Sequence, residues 1–132
     1  MEELKIVIAT ELNIDPKTAY NAWLDSEEHE QMTGGAASFT KQVGAEFTAW
    51  DGYIFGKILE LTPDMRVLQT WRTTEFDEST PDSTVEVTFA PSENGTLLTL
   101  THTNLDSEAS VEKYRTGWEQ HYIQPMLEHF NS

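Results

Sequence analysis

The stretch DSEASVEKYRTGWEQHYIQPMLEHF, residues 106–130, decides how the rest of the chain is arranged. Apolar side chains recur every three or four residues in its first half, at Val111, Tyr114, Trp118 and Tyr122. This spacing places them on one stripe of an α-helix, and Asp106 or Ser107 is suited to cap its start. At ~1.5 Å per residue the helix would be roughly 35 Å long, enough to cross a small domain.

Two residues interrupt this helical pattern. Gly117 costs ~1 kcal/mol relative to Ala inside a helix, so we expect another backbone or a ligand to approach there. Pro125 cannot donate a hydrogen bond to the carbonyl of His121, which predicts a kink. Beyond that point the apolar stripe moves round the helix, to Ile123, Met126, Leu127 and Phe130. The pattern predicts one helix with two buried faces.

Composition narrows the class of protein. At 132 residues we expect one domain, residues 1–132, with a substantial core. The absence of cysteine excludes disulfides and thiolate metal sites. The apolar runs are too short to span a bilayer, and the acidic N-terminus MEELKIVIATEL is unlike a signal peptide, so we expect a cytoplasmic protein. A net charge of −15 argues against nucleic acid and membrane surfaces as partners.

The sequence before the long helix predicts a strand, two short helices and then a series of strands. Leu4–Leu12 alternates apolar and polar residues and predicts a strand. Asp15-Pro16 predicts the start of a first short helix, and Ser26–Met32 a second one that Gly34-Gly35 ends. From residue 37 to 104 the period is two, and Asp51-Gly52 and Asn94-Gly95 predict hairpins with type I′ turns. The predicted strands there are Ser38–Val43, Glu46–Trp50, Tyr53–Leu61, Arg66–Thr74, Thr84–Ala90 and Thr96–Asn104.

This order indicates an α+β fold. We expect a seven-stranded antiparallel sheet that wraps around the long C-terminal helix, with two short helices between strands 1 and 2. Gly56 and Gly117 lack side chains where the two layers would meet, so we expect a cavity between sheet and helix. The predicted inward-facing residues of the sheet include Trp50 or Phe47, Tyr53, Phe55, Trp71, Phe89 and, on the last strand, Leu98, Leu100 and His102.

Short motifs occur in a distinctive order along nearly the whole chain. They are Ala22-Trp23, Gly44-x-x-Phe47 with Asp51-Gly52 and Gly56, Leu61-x-Pro63, Thr70-Trp71-Arg72, Gly95-Thr96-x-Leu98-Thr99-Leu100-Thr101-His102 and Gly117-Trp118. Each is weak alone, but in this order they resemble the C-terminal-domain family of the activator of heat-shock protein 90 ATPase. That family lies within the START-like (SRPBCC) superfamily, and the resemblance implies its helix-grip fold.

The resemblance also implies two kinds of partner. START-like relatives include ligand-binding domains and polyketide cyclases, whereas the activators contact a chaperone. Two features depart from the family. Gln31-Met32-Thr33 stands where many bacterial members have a pair of tryptophans, so part of the pocket is expected to differ. The eukaryotic activators carry a separate N-terminal domain for chaperone contact, and we expect 132 residues to leave no room for one.

The reactive residues do not form a strong catalytic or metal-binding pattern. No two of the four histidines, at His29, His102, His121 and His129, have the i, i+4 spacing of a helical ligand pair, so we expect no metal and no cofactor. A hydrolytic triad has neither a cysteine nor a Gly-x-Ser-x-Gly motif to build on. An acid–base enzyme would depend on His102, Arg72, Tyr114 or His121, although Arg72 is equally suited to point outward and pair with an acidic neighbour on a strand.

The aromatic residues suit a ligand-binding cavity as well as a solid core. The predicted ligand-binding set is Tyr53, Phe55, Trp71, Phe89, His102, Tyr114, Trp118 and Tyr122. The leading hypothesis is a module that holds a small apolar molecule between the sheet and the last helix. A protein-interaction module that modulates a chaperone or another enzyme is the alternative, and a cyclase-like enzyme is the third hypothesis.

Overall fold

The computed structural model describes residues 4–105 and 107–131. Within them the strands are β1 (Ile6–Leu12), β2 (Glu46–Ala49), β3 (Ile54–Thr62), β4 (Arg66–Thr73), β5 (Ser83–Ser92) and β6 (Gly95–Thr103). Two short helices, α1 (Pro16–Leu24) and α2 (Ser26–Thr33), lie between β1 and β2. The chain ends in α3 (Glu108–Trp118), a π-helical turn (Glu119–Ile123) and α4 (Gln124–Asn131).

The strands form one antiparallel sheet in the order β1-β6-β5-β4-β3-β2. The first strand therefore pairs with the last, with Ile8 opposite Leu100. The expected α+β architecture, with an antiparallel sheet and a C-terminal helix, is confirmed. None of the helices in the described residues is long and apolar enough to cross a membrane.

The predicted seventh strand, Ser38–Val43, is wrong. The described residues give six strands, and this segment contributes a single bridge from Ser38 to Thr48. Phe39 N–H donates instead to Ser26 Oγ of α2 at 2.7 Å, and Gln42 N–H makes a local turn contact with Thr40 O at 2.8 Å. Gly44 then adopts a φ of 89°, a left-handed conformation that glycine tolerates, and its N–H donates to Ile58 O of β3 at 2.8 Å.

The two predicted hairpin turns differ in outcome. At Asp51-Gly52 both residues have positive φ, as expected, but Trp50 does too, at 52°, so the left-handed stretch is longer than a two-residue turn. At Asn94-Gly95 the type I′ prediction is wrong, because Gly95 already pairs with Ser92 at the start of β6. A side chain at Gly95 would meet the carbonyl of Leu12 at 2.4 Å, so close backbone approach explains this glycine.

Every helix packs on the same face of the sheet. The inward residues of the last strand, Leu98, Leu100 and His102, are at most 1% exposed, as the alternation predicted. Tyr20 of α1 contacts Phe89 of β5 edge-on, and Trp23 donates from Nε1 to Gln69 Oε1 of β4 at 2.8 Å. The helices α1 and α2 thus cover one part of the sheet, and the C-terminal helix covers the rest.

The C-terminal helix begins and bends where its sequence indicates. Ser107 is the N-cap and accepts from Ser110 N–H at 3.1 Å, whereas Asp106, the other predicted cap, lies outside the described residues. The π-helical turn ends at Ile123, two residues before Pro125, and Gln124 N–H donates to Glu119 O, five residues back. An extra residue in that turn rotates the following side chains around the axis. This explains why the apolar stripe shifts after Tyr122.

Candidate functional site

Trp118 lies at the centre of the contact between helix and sheet. It is 4% exposed, as the apolar stripe predicted. Its ring lies 4.8 Å from that of Trp71 on β4 and 4.8 Å from that of Tyr122, one turn further along the helix. The indole Nε1 donates to Nδ1 of His102 at 3.0 Å. One side chain therefore joins the helix to two strands.

His102 is a buried, neutral hydrogen-bonding residue. Because an indole nitrogen only donates, Nδ1 of His102 must be the acceptor, and the proton lies on Nε2. Nε2 contacts Ser83 Oγ at 2.7 Å, and Ser83 Oγ donates to the carbonyl of Trp71 at 2.5 Å. Burial lowers the pKa of His102 to about 4, since a charged ring would lose its hydration there. Both ring nitrogens are thus occupied within the protein.

A second buried histidine holds the next turn of the helix. His29 of α2 donates from Nδ1 to the carbonyl of Trp23 at 2.8 Å, and its Nε2 accepts from the Tyr122 hydroxyl at 2.9 Å. Burial lowers the pKa of His29 to about 4 and raises the pKa of Tyr122 above its usual value. We call His29, His102, Trp118 and Tyr122 the histidine core. It fixes the helix to both α2 and β6.

A pocket opens on the other side of Trp118 and Tyr122. It has a volume of about 520 Å³ and lies between the C-terminal helix and the β2–β3 end of the sheet. We call it the helix pocket; its lining residues are Trp50, Tyr53, Ile54, Trp71, Lys113, Tyr114, Thr116, Gly117, Trp118, Gln120, His121 and Tyr122. A side chain at Gly117 would meet no atom of the described residues within 4 Å, so this glycine leaves the space open.

Three polar side chains from three parts of the chain meet at the rim of this pocket. Lys113 Nζ of α3 donates to Glu75 Oε1 at 2.8 Å, and the Tyr53 hydroxyl donates to Glu75 Oε2. Lys113, and then Tyr53, lower the pKa of Glu75 by stabilising its carboxylate. Burial, followed by the contact with Glu75, raises the pKa of Tyr53. The rim therefore holds one carboxylate between a cation and a phenol.

Trp50 forms another part of the pocket wall at some conformational cost. A φ of 52° is unusual for a bulky residue, and such backbone strain is often found at functional sites. Its ring lies 5.2 Å from that of His121, edge to face. Its Nε1 is buried and has no hydrogen-bond partner within residues 4–105 and 107–131. The pocket wall thus contains a buried polar group without a hydrogen bond to the described residues, whereas the polar groups of the histidine core are all paired.

The structure brings together five of the eight residues predicted to bind a ligand. Tyr53, Trp71, Tyr114, Trp118 and Tyr122 line the helix pocket. Phe55 is 37% exposed and lies on the outer face of β3, because Ile54 and Ile58 are the buried residues of that strand. Phe89 is buried beneath Tyr20 of α1, and His102 is buried beneath Trp118.

Gly56 does not border the helix pocket either. A side chain there would meet Thr70 O at 2.4 Å and the Phe47 ring at 2.9 Å, so its space is already filled. Arg72, an acid–base candidate, points outward and donates to Thr80 O and Asp77 O at 2.6 Å each. It fastens the segment between β4 and β5. Of the four acid–base candidates, Tyr114 and His121 line the pocket.

Several site residues escaped prediction from sequence. His29, which no local pattern marked as a core residue, is 0% exposed, and its partner Tyr122 is 93 positions away. The Lys113–Glu75 pair spans 38 positions, which no local pattern indicates. Among the described residues no three His, Cys, Asp or Glu side chains are arranged to hold a metal ion.

Comparison with known proteins gives a consistent family. The model of a family described as "Activator of Hsp90 ATPase homolog 1-like protein" matches residues 13–130. The human activator of 90 kDa heat shock protein ATPase homolog 1 is 22% identical over 126 residues. That match covers 96% of this chain but 37% of the human protein, so the chain spans about a third of the length of this curated relative.

Solved structures share the fold over nearly the whole chain. The crystal structure of an HSP90 activator from Plasmodium falciparum is 27% identical, covers 94% of each chain and has a TM-score of 0.83. CalU16 from Micromonospora echinospora is 25% identical with a TM-score of 0.76, over 92% of this chain and 73% of CalU16. These likenesses support the helix-grip fold that the order of motifs implied.

Proposed function

The chain belongs to the Activator of Hsp90 ATPase homolog 1-like family, and we propose that it is a helix-grip module that binds a small, mainly apolar molecule in the helix pocket. The observation that carries this proposal is the pocket itself, a space of about 520 Å³ with mainly aromatic walls. Ligand pockets in proteins are typically of ~300–1,000 Å³ and mostly apolar, with a few polar groups that fix orientation.

Gly117 supports the proposal from the energetics of the helix. A glycine in a helix interior costs ~1 kcal/mol relative to alanine. No neighbouring atom of the described residues lies within 4 Å of where its side chain would be, so packing does not require a glycine here. A ligand that fills this space explains it. Such a ligand would bury apolar surface at ~25 cal/mol per Å² and would raise the free energy of unfolding.

A matched pair of variants tests this proposal. Gly117→Ala and Gly117→Leu both remove the glycine, but only leucine projects far into the pocket. The neutral dye N-phenyl-1-naphthylamine reports apolar binding by its fluorescence. We expect Gly117→Ala to retain most of the dye binding and Gly117→Leu to lose it while its melting temperature is unchanged or higher. The proposal fails if the wild type binds neither the dye nor any compound of an apolar library.

A second function is favoured by the relatives. The Plasmodium falciparum structure described as an HSP90 activator matches 94% of its own length, so the shared region is nearly all of that chain. We propose as the alternative that this protein modulates a chaperone of the 90-kDa heat-shock class through its surface. The test is the chaperone's ATPase rate with increasing amounts of this protein. An unchanged rate, with no binding in calorimetry, would refute this alternative.

A further inference from the structure

We propose that the ligand of the helix pocket is an amphiphilic anion, whose carboxylate or sulfonate head is bound by Lys113 and Tyr53 in place of Glu75. This inference rests on the proposed function and adds the chemical class of the ligand. Its starting point is the rim of the pocket, where one carboxylate of the protein is already held by these two side chains.

The charge at the pocket wall is opposite in sign to the net charge of the chain. The sequence has 23 acidic residues and 8 lysines and arginines. Among the described residues that line the pocket, however, Lys113 is the one with a formal charge, and no carboxylate is present. The carboxylate at its rim, Glu75, is paired with Lys113 at 2.8 Å, so the pocket repels an anionic head less than the rest of this acidic surface does.

The contacts of Glu75 show that an anion fits between these donors. Each oxygen of its carboxylate accepts one hydrogen bond, Oε1 from Lys113 Nζ at 2.8 Å and Oε2 from the Tyr53 hydroxyl. Both donors line the helix pocket, whereas Glu75 lines a smaller neighbouring cavity of about 200 Å³ together with Lys113 and Tyr114. A ligand head that enters from the helix pocket would therefore meet the same two donors once Glu75 has left them.

Glu75 is held weakly enough to be displaced. The side chains of Lys113 and Glu75 are 53% and 48% exposed, and exposed ion pairs contribute little to stability. Glu75 stands between β4 and β5, outside both strands, so its side chain can leave without breaking the sheet. An amphiphilic ligand also buries an apolar body in the aromatic pocket, and Glu75 has no such body. This apolar burial favours the ligand anion over the internal carboxylate.

Two dyes that share one ring system distinguish the contribution of a ligand's charged head group from that of its apolar body. 1-Anilinonaphthalene-8-sulfonate is an anion, and N-phenyl-1-naphthylamine lacks only its sulfonate. We expect Lys113→Met to weaken binding of the anionic dye roughly tenfold and to leave binding of the neutral dye within about twofold. Glu75→Gln removes the internal competitor, so the anionic dye should bind roughly two- to fivefold more tightly to it.

Charge-matched variants control for the overall field of the protein. Lys17→Met and Glu93→Gln change the net charge in the same way at exposed positions outside the pocket, and we expect the affinities of both dyes for them to match the wild type. Tyr53→Phe removes one donor without changing charge and should weaken the anionic dye alone.

The outcomes distinguish this inference from the function on which it rests. If both dyes bind and neither Lys113→Met nor Glu75→Gln changes their relative affinity, the head-group inference is overturned while the pocket remains a binding site. If Lys17→Met weakens the anionic dye as much as Lys113→Met does, the effect is general electrostatics, and the inference is overturned as well. If neither dye binds the wild type, the head-group inference is overturned, and if no compound of the apolar library binds either, the proposed function itself has failed.

Discussion

The C-terminal helix has a closed side, formed by the histidine core, and an open side, formed by the helix pocket. The two sides differ in how many of their buried polar groups have a hydrogen-bond partner. On the closed side the histidine core has every ring nitrogen and the Tyr122 hydroxyl paired. On the open side, Trp50 has a buried indole nitrogen without a partner in the described residues, and Gly117 faces empty space. The contacts of one side therefore hold the helix in place, and we expect changes on the other side to cost less stability.

The largest expected effect is on the closed side. Trp118→Ala removes a buried indole that packs on Trp71 and Tyr122 and leaves Nδ1 of His102 without its donor. We expect a loss of ~3–5 kcal/mol in the free energy of unfolding, measured by urea titration. A loss below ~1 kcal/mol would show that Trp118 belongs to a loose cavity, and the distinction between the two sides would disappear.

As the pH falls, the buried histidines of the closed side should lower the free energy of unfolding before the carboxylates do. His29 and His102 have folded pKa values of about 4, below the ordinary value of 6.5. As pH falls below about 6.5, the unfolded chain takes up protons that the folded chain refuses, so stability is lost down to about pH 4. We expect a loss of roughly 2 kcal/mol from each histidine between pH 7 and pH 5.

A histidine variant isolates this effect. His102→Gln cannot titrate, and its amide can still accept from Trp118 and donate to Ser83. We expect its free energy of unfolding, measured by denaturant titration, to change about half as much between pH 7 and pH 5 as that of the wild type. Equal slopes would mean that His102 is not protected from protonation. The carboxylates with lowered pKa values, such as Glu75, act in the same direction but at lower pH.

Removing one tyrosine hydroxyl on each side of the helix compares the stability that a hydroxyl contributes there. Tyr122→Phe leaves Nε2 of His29 buried without a donor, which should cost ~1–3 kcal/mol. Tyr53→Phe also removes a hydroxyl, but its partner Glu75 is half-exposed and can bind water, so the change should be within ~0.5 kcal/mol. Thermal and urea unfolding of both variants measure the difference. Equal costs would refute the contrast between the two sides.

The smallest expected effect is a gain in stability on the open side. Gly117→Ala should raise the free energy of unfolding by ~0.5–1 kcal/mol, because the helix improves and nothing is displaced. Gly56→Ala is the matched control and should destabilise, since its side chain would meet Thr70 O at 2.4 Å. Denaturant titration of the two variants compares them. Destabilisation by Gly117→Ala would show that the pocket is filled by the protein itself.

Features that repeat over short distances were predicted well. The strands other than Ser38–Val43, the two short helices and the stripe around Trp118 follow from periods of two and 3.6 residues. The prediction failed on β3, where Ile54 and Phe55 are both apolar and only the burial of Ile54 identifies the inner face. The alternation was counted from Tyr53, but Tyr53 lies before the strand and follows three left-handed residues, so it does not share the strand's register.

Apart from the extra strand predicted at Ser38–Val43, the sequence by itself determined the order of the elements, the amphipathic helix with its central tryptophan, and the inward face of the last strand. Each of these depends on neighbours within a few residues. Only the tertiary structure decided that Phe89 lies beneath α1, that His29 meets Tyr122, and that Lys113 and Tyr53 share Glu75. These contacts join residues far apart in the chain. They depend on how the sheet is ordered and where the helices cross it, which no local pattern of residues specifies.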